Sequence, residues 1–253
     1  MLYPRFVKSR VVKNGVAKIL VLPAFVLCAF LPFIAQADLR TNRQMEDLVS
    51  MAIDGENASF VNYVKQHDLL SRADKDGHTP LFAAMFGEPA LVDRVLELGA
   101  PLEHKDTAGD TPLIAAAMLG YPQAVNKLIE RGADLEARNN DGQTALVVSV
   151  LSLSVNQTDM NSPSYSKLHN RWETVIKTLV EHGADVNAVD KQGASALFFA
   201  IFSGDVALCN YLIQAGADVR HQLPTGISLL RYAKAESKTS IVRLLEQQLA
   251  SLP

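Results

Sequence analysis

The chain has very few residues of the types that cross-link small secreted domains or hold metal ions. It contains two cysteines, Cys28 and Cys209, and one tryptophan in 253 residues. Two cysteines cannot build a disulfide framework, so stability has to come from a packed apolar core. None of the six histidines stands at a zinc-ligand spacing from another histidine or from a cysteine. The sequence therefore predicts no metal site, and Cys209 is expected to be a small buried apolar residue.

Catalytic and nucleotide-binding motifs are also missing. The sequence has no His-Glu-x-x-His, no P-loop, no Gly-x-Ser-x-Gly and no dinucleotide fingerprint. A basic stripe with interleaved aromatic residues, which would indicate nucleic-acid binding, is absent as well. We predict no catalytic residues, no cofactor and no nucleic-acid partner. A hydrolytic site made from the serines and His169 of segment 154–170 is a minor alternative.

What the sequence does contain is a short unit that returns along the chain. The stretch DKDGHTPLFAAMFGEPALVDRVLELGAP, residues 74–101, reads as a turn, a short helix, a second turn and a second helix. Helices of about two turns are unstable alone, so such units must stack on copies of themselves. Their glycines recur every 33 residues, give or take one, except for one step of 51. The turn glycines are Gly77, Gly109, Gly142, Gly193 and Gly226, and the helix-ending Gly-Ala pairs begin at Gly99, Gly132, Gly183 and Gly216.

A 33-residue period with Thr-Pro-Leu at one helix start and Gly-Ala-Asp after the other helix resembles the ankyrin repeat. The resemblance implies an all-α solenoid of about six helix-turn-helix units, with no strands beyond hairpin-like turns. The fourth position of the motif, a histidine in the family, is here Phe82, Ile114, Val147 or Phe198. Apolar packing must therefore replace the hydrogen bonds of that histidine. Ala145 and Ala196 replace the proline in two copies, where Ser195 can still cap a helix.

The repeats divide the chain into predicted segments. We expect a signal peptide at 1–37, an N-terminal capping repeat at 38–73, four ankyrin repeats at 74–223 and a C-terminal capping repeat at 224–253. The step of 51 indicates an insertion of about 18 residues, approximately 154–170, between the two helices of the third repeat. A flexible loop is the simpler interpretation of this insertion, and a functional segment is the alternative. We also expect the helix-ending Gly132 to be left-handed and crowded by the next repeat.

The first 37 residues have the order of a secretory signal peptide. Five basic residues precede an uncharged apolar run, and Ala35-Gln36-Ala37 follows as a processing site. Cleavage after Ala37 would remove five of the 24 basic and none of the 27 acidic residues, leaving a formal net charge of about −8. We predict a periplasmic protein without membrane contact after cleavage. Secretion and a retained membrane anchor are the alternatives.

The resemblance implies a protein that binds another protein through a concave face made of turn tips and first helices. We call this surface the predicted binding face. Its candidate residues are Lys75, His78, Lys105, Asp110, Arg138, Asp141, Gln143 and Lys191 at the tips, and Phe86, Met118, Leu119, Leu151 and Phe202 towards the ends of the first helices. The expected function is that of an adaptor or an inhibitor, and a secreted effector is the alternative.

Overall fold

The computed structural model describes residues 39–155 and 163–251. These residues form twelve α-helices that follow one another in six pairs. The helices are α1 (Leu39–Ile53), α2 (Asn57–Gln66), α3 (Pro80–Ala84), α4 (Pro89–Glu97), α5 (Pro112–Met118), α6 (Pro122–Glu130), α7 (Ala145–Val155), α8 (Pro163–Glu181), α9 (Ala196–Ser203), α10 (Val206–Gln214), α11 (Leu229–Ala235) and α12 (Thr239–Ser251). The predicted signal peptide lies outside the described residues, as does segment 156–162 of the insertion.

The helix starts follow from the capping residues of the repeat. The Oγ1 of Thr111 accepts a hydrogen bond from the amide of Ile114 at 3.4 Å, and the Oγ of Ser195 accepts one from Phe198 at 3.3 Å. Each bond satisfies an amide that has no partner within the helix. Thr79 takes the extended N-cap backbone without a side-chain bond. Ser195 therefore caps α9 as predicted, although Ala196 stands where proline is usual.

The glycines that end the second helices are left-handed, as predicted, but they are not crowded. Gly99, Gly132, Gly183 and Gly216 have φ between 87° and 99°. A Cβ built at any of them would meet no atom within 4 Å. The expected crowding of Gly132 by the next repeat is therefore wrong. The alanine that follows each of these glycines is buried instead.

The close approach between repeats lies at the turn glycines. A Cβ at Gly77 would lie 2.6 Å from the Cα of Asp106, and a Cβ at Gly109 would lie 2.8 Å from the amide nitrogen of Asn140. These neighbours are backbone atoms of the next tip, which cannot move aside as a flexible side chain could. The residue type at these turns is thus dictated both by a positive φ and by lack of space.

One continuous apolar core runs through the described repeats. First helices pack on first helices of the neighbouring pair, as α5 does on α7 and α7 on α9, and second helices pack on second helices, as α4 does on α6 and α6 on α8. The positions that replace the family histidine belong to this core, with Ile114 and Val147 buried and Phe82 and Phe198 packed against it. The predicted apolar packing at these four positions is confirmed. None of the described helices is both long and apolar enough to span a membrane.

Cys209 is fully buried on α10, as expected from its apolar neighbours. Burial disfavours the thiolate and raises the pKa of this thiol to about 12, and the nearby carboxylate of Asp205 adds to the effect. A thiol with this pKa carries almost no thiolate at neutral pH, and the thiolate is the reactive form. Cys209 therefore acts as a packing residue.

The insertion differs from a simple loop. Residues 163–170 form the N-terminal part of α8, which is 19 residues long where the other second helices of the central repeats have nine. α8 contacts α5 of the preceding repeat, and Trp172 takes part in this contact. A periodic pattern could not reveal this extension, because the segment has no counterpart in the other repeats.

Candidate protein-binding face

The turn tips are held by a side chain at the start of each turn. An Oδ1 atom there accepts two backbone amides, as Asp74 does from Asp76 at 2.9 Å and from His78 at 2.8 Å. Local hydrogen bonds of this kind fix a turn without a strand. The residues that repeat this role are Asp106, Asn139 and Asp190.

Neighbouring tips are also tied to each other through their backbones. The amide of Thr107 donates to the carbonyl of Asp76, and the amide of Asn140 donates to that of Ala108, each at 2.9 Å. The amide of Lys191 donates to Asp141 in the same way at 2.9 Å, across the position of the insertion. The tips therefore form a continuous row that holds its side chains at a fixed spacing.

Two cations at the tips of the predicted binding face take part in this row. Nη1 of Arg138 donates to the carbonyls of Gly142 at 2.7 Å and Val189 at 2.6 Å, and Nζ of Lys105 donates to the carbonyl of Arg138 at 2.8 Å. Arg138 and Lys105 therefore connect neighbouring repeats in addition to being exposed. Asp141 and Lys191 are exposed as well, and they are tied to the row through backbone atoms.

Asp110 and Gln143 present little surface for a partner. Both are buried, and Nδ2 of Asn139 donates to Oδ1 of Asp110 at 2.9 Å and to Oε1 of Gln143 at 3.3 Å. Burial raises the pKa of Asp110; the hydrogen bond from Asn139 opposes the rise, and the charges of Asp106 and Asp141 add to it. These two members of the predicted binding face organise the tips beneath it.

His78 lies between the acids of two tips and is mostly covered. Its side chain is 13% exposed, its Nδ1 is 3.4 Å from Oδ2 of Asp74, and its Nε2 is 3.9 Å from Oδ2 of Asp106. The ring stacks on Phe82 with centroids 4.1 Å apart. Burial of Asp74 would raise its pKa, but the hydrogen bonds and charge of His78 outweigh burial and lower it.

The amide of Lys75, the adjoining tip cation, donates to Oδ1 of Asn42 at 3.2 Å.

The same tip contains a group that could in principle hold a metal ion. One ligand atom each from Asp74, Asp76 and His78 lie within 4.8 Å of one another. Both oxygens of Asp74 already serve the turn, Oδ1 through two amides and Oδ2 through His78. The same turn forms at Asp190, where Gln192 and Ala194 stand in place of Asp76 and His78. The turn therefore accounts for this cluster, and we assign it no ion.

The apolar members of the predicted binding face are unequally exposed. Phe202 at the end of α9 is 49% exposed. Phe86, Met118, Leu119 and Leu151 are partly buried, and all but Leu119 are among the side chains packed against the core. An exposed aromatic side chain gains most from contact with a partner, since its apolar surface is removed from water. Phe202 is thus the most accessible apolar residue that the sequence singled out.

Sequence reasoning missed a cleft beside Phe86. Tyr121 packs edge-on against Phe86 with centroids 5.7 Å apart, and the guanidinium of Arg171 lies 4.6 Å from the centre of the Tyr121 ring. Nε of Arg171 donates to the carbonyl of Gly120 at 2.8 Å, and Nε1 of Trp172 donates to that of Met118 at 3.0 Å. Because Arg171 follows the insertion, its neighbours could not be read from the repeat register.

Models of known families match the chain over two consecutive stretches. The model described as "Ankyrin repeats (3 copies)" matches residues 82–162, and the model described as "Ankyrin repeats (many copies)" matches residues 166–213. The two matches together cover about half of the chain. The chain belongs to the ankyrin-repeat family. Ankyrin repeats in general are protein–protein interaction modules, and this is the function that family membership supports.

Curated ankyrin-repeat relatives share parts of the chain. A protein of Borreliella burgdorferi described as an ankyrin repeat protein is 26% identical over 85 residues, which are 34% of this chain and 38% of that protein. Rabankyrin-5 of Mus musculus is 41% identical over 71 residues, 27% of this chain and 6% of the relative. The chain thus spans well under half the length of these relatives.

Solved ankyrin-repeat structures are similar over most of the chain. The ankyrin repeat domain of Bcl-3, a member of the IkappaB protein family, has a TM-score of 0.65 at 28% identity, covering 79% of this chain and 84% of that one. An ankyrin repeat domain from Acinetobacter baumannii AYE has a TM-score of 0.62 at 26% identity, covering 79% and 95%. The ankyrin-repeat solenoid predicted from the sequence is therefore confirmed.

Proposed function

We propose that this ankyrin-repeat protein is exported and binds another protein through the predicted binding face, as an adaptor or an inhibitor. The observation that carries the proposal is the exposure of Phe202 at the end of α9. Its first-helix neighbour α7 packs directly on α9 and carries the half-buried Leu151. Exposed charges at Asp141 and Lys191 supply a polar rim. Apolar anchors within a polar rim are the usual arrangement of a protein interface.

The test is capture of the partner by immobilised protein from a periplasmic extract, followed by affinity measurement with variants. Phe202→Ser should weaken binding by about 2 kcal/mol if Phe202 is a hot spot, with little change in melting temperature because the side chain is half exposed. Leu151→Ser should add to the loss but also lower stability, since Leu151 packs against the core. Ile53→Ser at the end of α1 is the matched control, because Ile53 is exposed to a similar degree and is not part of the predicted binding face. If Phe202→Ser and the control bind the partner with equal affinity, the binding site lies elsewhere on the protein.

The proposed export rests on the basic and apolar pattern of residues 1–37. Intact mass and N-terminal sequencing of protein from the envelope fraction should give a mature chain that begins at Asp38. A chain that retains Met1 in the membrane fraction would make the segment an anchor. The binding role would then belong to a membrane-tethered protein.

A secreted effector is the second proposal for the same face, because the signal pattern fits delivery outside the cell as well. The two proposals differ in where the partner is made. A partner captured from an extract of the producing cells supports the adaptor or inhibitor role. A partner found only in extracts of another organism would support the effector.

A further inference from the structure

The cleft beside Phe86 combines aromatic walls with a cation. It has a volume of about 270 Å³ and lies between the starts of α4 and α6. Its walls include Phe86, Tyr121 and Val92, and Arg171 from α8 closes one side. The cleft adjoins the predicted binding face at Phe86, but its other lining residues are not part of that face.

The charge of Arg171 is not neutralised by an acid within the described residues. Its Nε–H donates to the carbonyl of Gly120, and its guanidinium lies over the ring of Tyr121, while the ion pairs of the neighbouring α6 and α8 join other residues. A guanidinium has five N–H donors, and those of Arg171 that do not serve Gly120 or the Tyr121 side chain are available to a carboxylate. The fixed Nε contact and the stacked ring hold the group in place, which favours directed, paired hydrogen bonds.

The size of the cleft limits what can satisfy both features. At about 270 Å³ the cleft is smaller than the usual ligand pocket of about 300–1,000 Å³, so it suits a single residue better than a longer segment. A single residue that satisfies both features has to combine an apolar side chain with a carboxylate. Among protein residues, that combination occurs only at a C-terminal residue with an apolar side chain.

We propose that the cleft binds the C-terminal residue of a partner protein, with its apolar side chain against Phe86 and Tyr121 and its carboxylate on Arg171. This inference rests on the proposed function, because it assigns one contact of the partner that the binding face recruits. It also adds a requirement that the face alone does not make, namely a free apolar C-terminus.

The chain contains a built-in reporter for this binding. Trp172 is the only tryptophan, and its indole lies against Gly120, whose carbonyl accepts the hydrogen bond from Arg171. N-acetyl-L-phenylalanine is the smallest probe with the proposed ligand chemistry, and N-acetyl-L-phenylalanine amide is its uncharged control. The acid should change Trp172 fluorescence saturably in the millimolar range, with the same affinity by calorimetry. The amide should bind at least about tenfold more weakly, because a charge-assisted pair is lost.

Variants separate the cleft from nonspecific binding. Arg171→Gln should reduce affinity for the acid by about tenfold or more and leave the weak binding of the amide unchanged. Since Arg171→Gln could also disturb folding, Gln123→Glu provides a second variant on an exposed residue of the cleft wall. The added negative charge should weaken binding of the acid, whereas the same change at the exposed Gln247 of α12 should not.

Three results would overturn the inference. The first is equal binding of the acid and the amide. The second is an affinity for the acid that stays unchanged both in folded Arg171→Gln and in Gln123→Glu. The third is equally strong binding of N-acetyl-Glu-Phe-amide, which would point to an internal acidic residue. None of these experiments uses the partner or alters Phe202. If the probes fail while Phe202→Ser still weakens partner capture, only the cleft inference falls.

Discussion

Glycine has two different tasks in this chain, and the two can be separated by substitution. Gly77 and Gly132 have nearly the same φ, +85° and +87°. A Cβ at Gly132 meets nothing, whereas a Cβ at Gly77 would overlap the backbone of Asp106. The left-handed backbone costs any L-residue about 1–2 kcal/mol at either position. Only at Gly77 does a steric clash between repeats add to this cost.

We therefore expect Gly77→Ala to destabilise the protein much more than Gly132→Ala. Gly132→Ala should cost about 1 kcal/mol, and Gly77→Ala should cost clearly more because the next tip must shift. Urea unfolding followed by circular dichroism measures both under identical conditions. If the two variants lose equal stability, the tips do not approach each other as closely as the structure indicates.

The burial of Asp110 predicts the direction in which the stability of the protein changes with pH. Folding raises the pKa of this buried carboxyl above its unfolded value, so ionisation favours the unfolded state as the pH rises. The cost is absent below the unfolded pKa and fully present above the folded pKa. Asp110→Asn removes it, and the Oδ1 of asparagine can still accept from Asn139. The variant should gain melting temperature relative to the wild type at pH 7 and lose that gain near pH 3, about one unit below the ordinary pKa of aspartate.

The control is Glu46→Gln, which removes a carboxylate that is exposed on α1 and is not among the charges that act on Asp110. Its melting temperature should differ little from the wild type at either pH, because a solvated charge costs little. A gain at pH 7 that is equal in both variants would indicate general charge repulsion instead of burial at Asp110.

At the scale of single elements, the repeat period predicted most helices but not the start of α8. Thr111, Ser195 and the left-handed glycines mark helix ends by local chemistry, which a sequence displays directly. The extension of α8 depends on contacts with another repeat, through Arg171 and Trp172, and no local pattern encodes them. The cleft was missed for the same reason, since its cation and its aromatic walls are about 50 and 85 residues apart in the chain.

Trp172 should be the main attachment of the extended helix. Its ring is buried, and its Nε1–H is the donor to the carbonyl of Met118. Trp172→Phe keeps an aromatic ring but leaves a cavity and an unpaired carbonyl, so we expect a loss of about 1–3 kcal/mol in the free energy of unfolding. Chemical unfolding monitored by circular dichroism measures the loss.

His169→Gln is the comparison for a contact between the same helix and Asp205, the N-cap residue of α10. The Nε2 of His169 lies 3.9 Å from Oδ2 of Asp205, a distance at which an ion pair contributes well under 1 kcal/mol. This variant should therefore unfold almost like the wild type. A larger loss in His169→Gln than in Trp172→Phe would mean that the extension is held from the side of α10.

At the scale of the whole molecule, the charges on the tips have two separable effects. Arg138 joins neighbouring repeats through two carbonyls, so reversing its charge should change stability as well as any electrostatic attraction to a partner. Lys191 is exposed, and its tie to the tip row is a backbone amide that any non-proline residue retains. In a stack where each repeat contacts only its neighbours, damage at one junction weakens the whole array. Arg138 is therefore an unsuitable site for testing association alone.

Lys191→Glu should change the association rate with the captured partner and leave the melting temperature nearly unchanged. Rim charges act mainly on the encounter of two proteins, and salt screens them over about 8–10 Å at physiological ionic strength. The difference from the wild type should therefore shrink as salt rises, while the dissociation rate stays almost constant. Arg138→Glu, measured in parallel by stopped-flow or surface binding, should in addition melt at a lower temperature. If Lys191→Glu alters the dissociation rate at high salt instead, its side chain is buried at the interface and the rim lies further out on the tips.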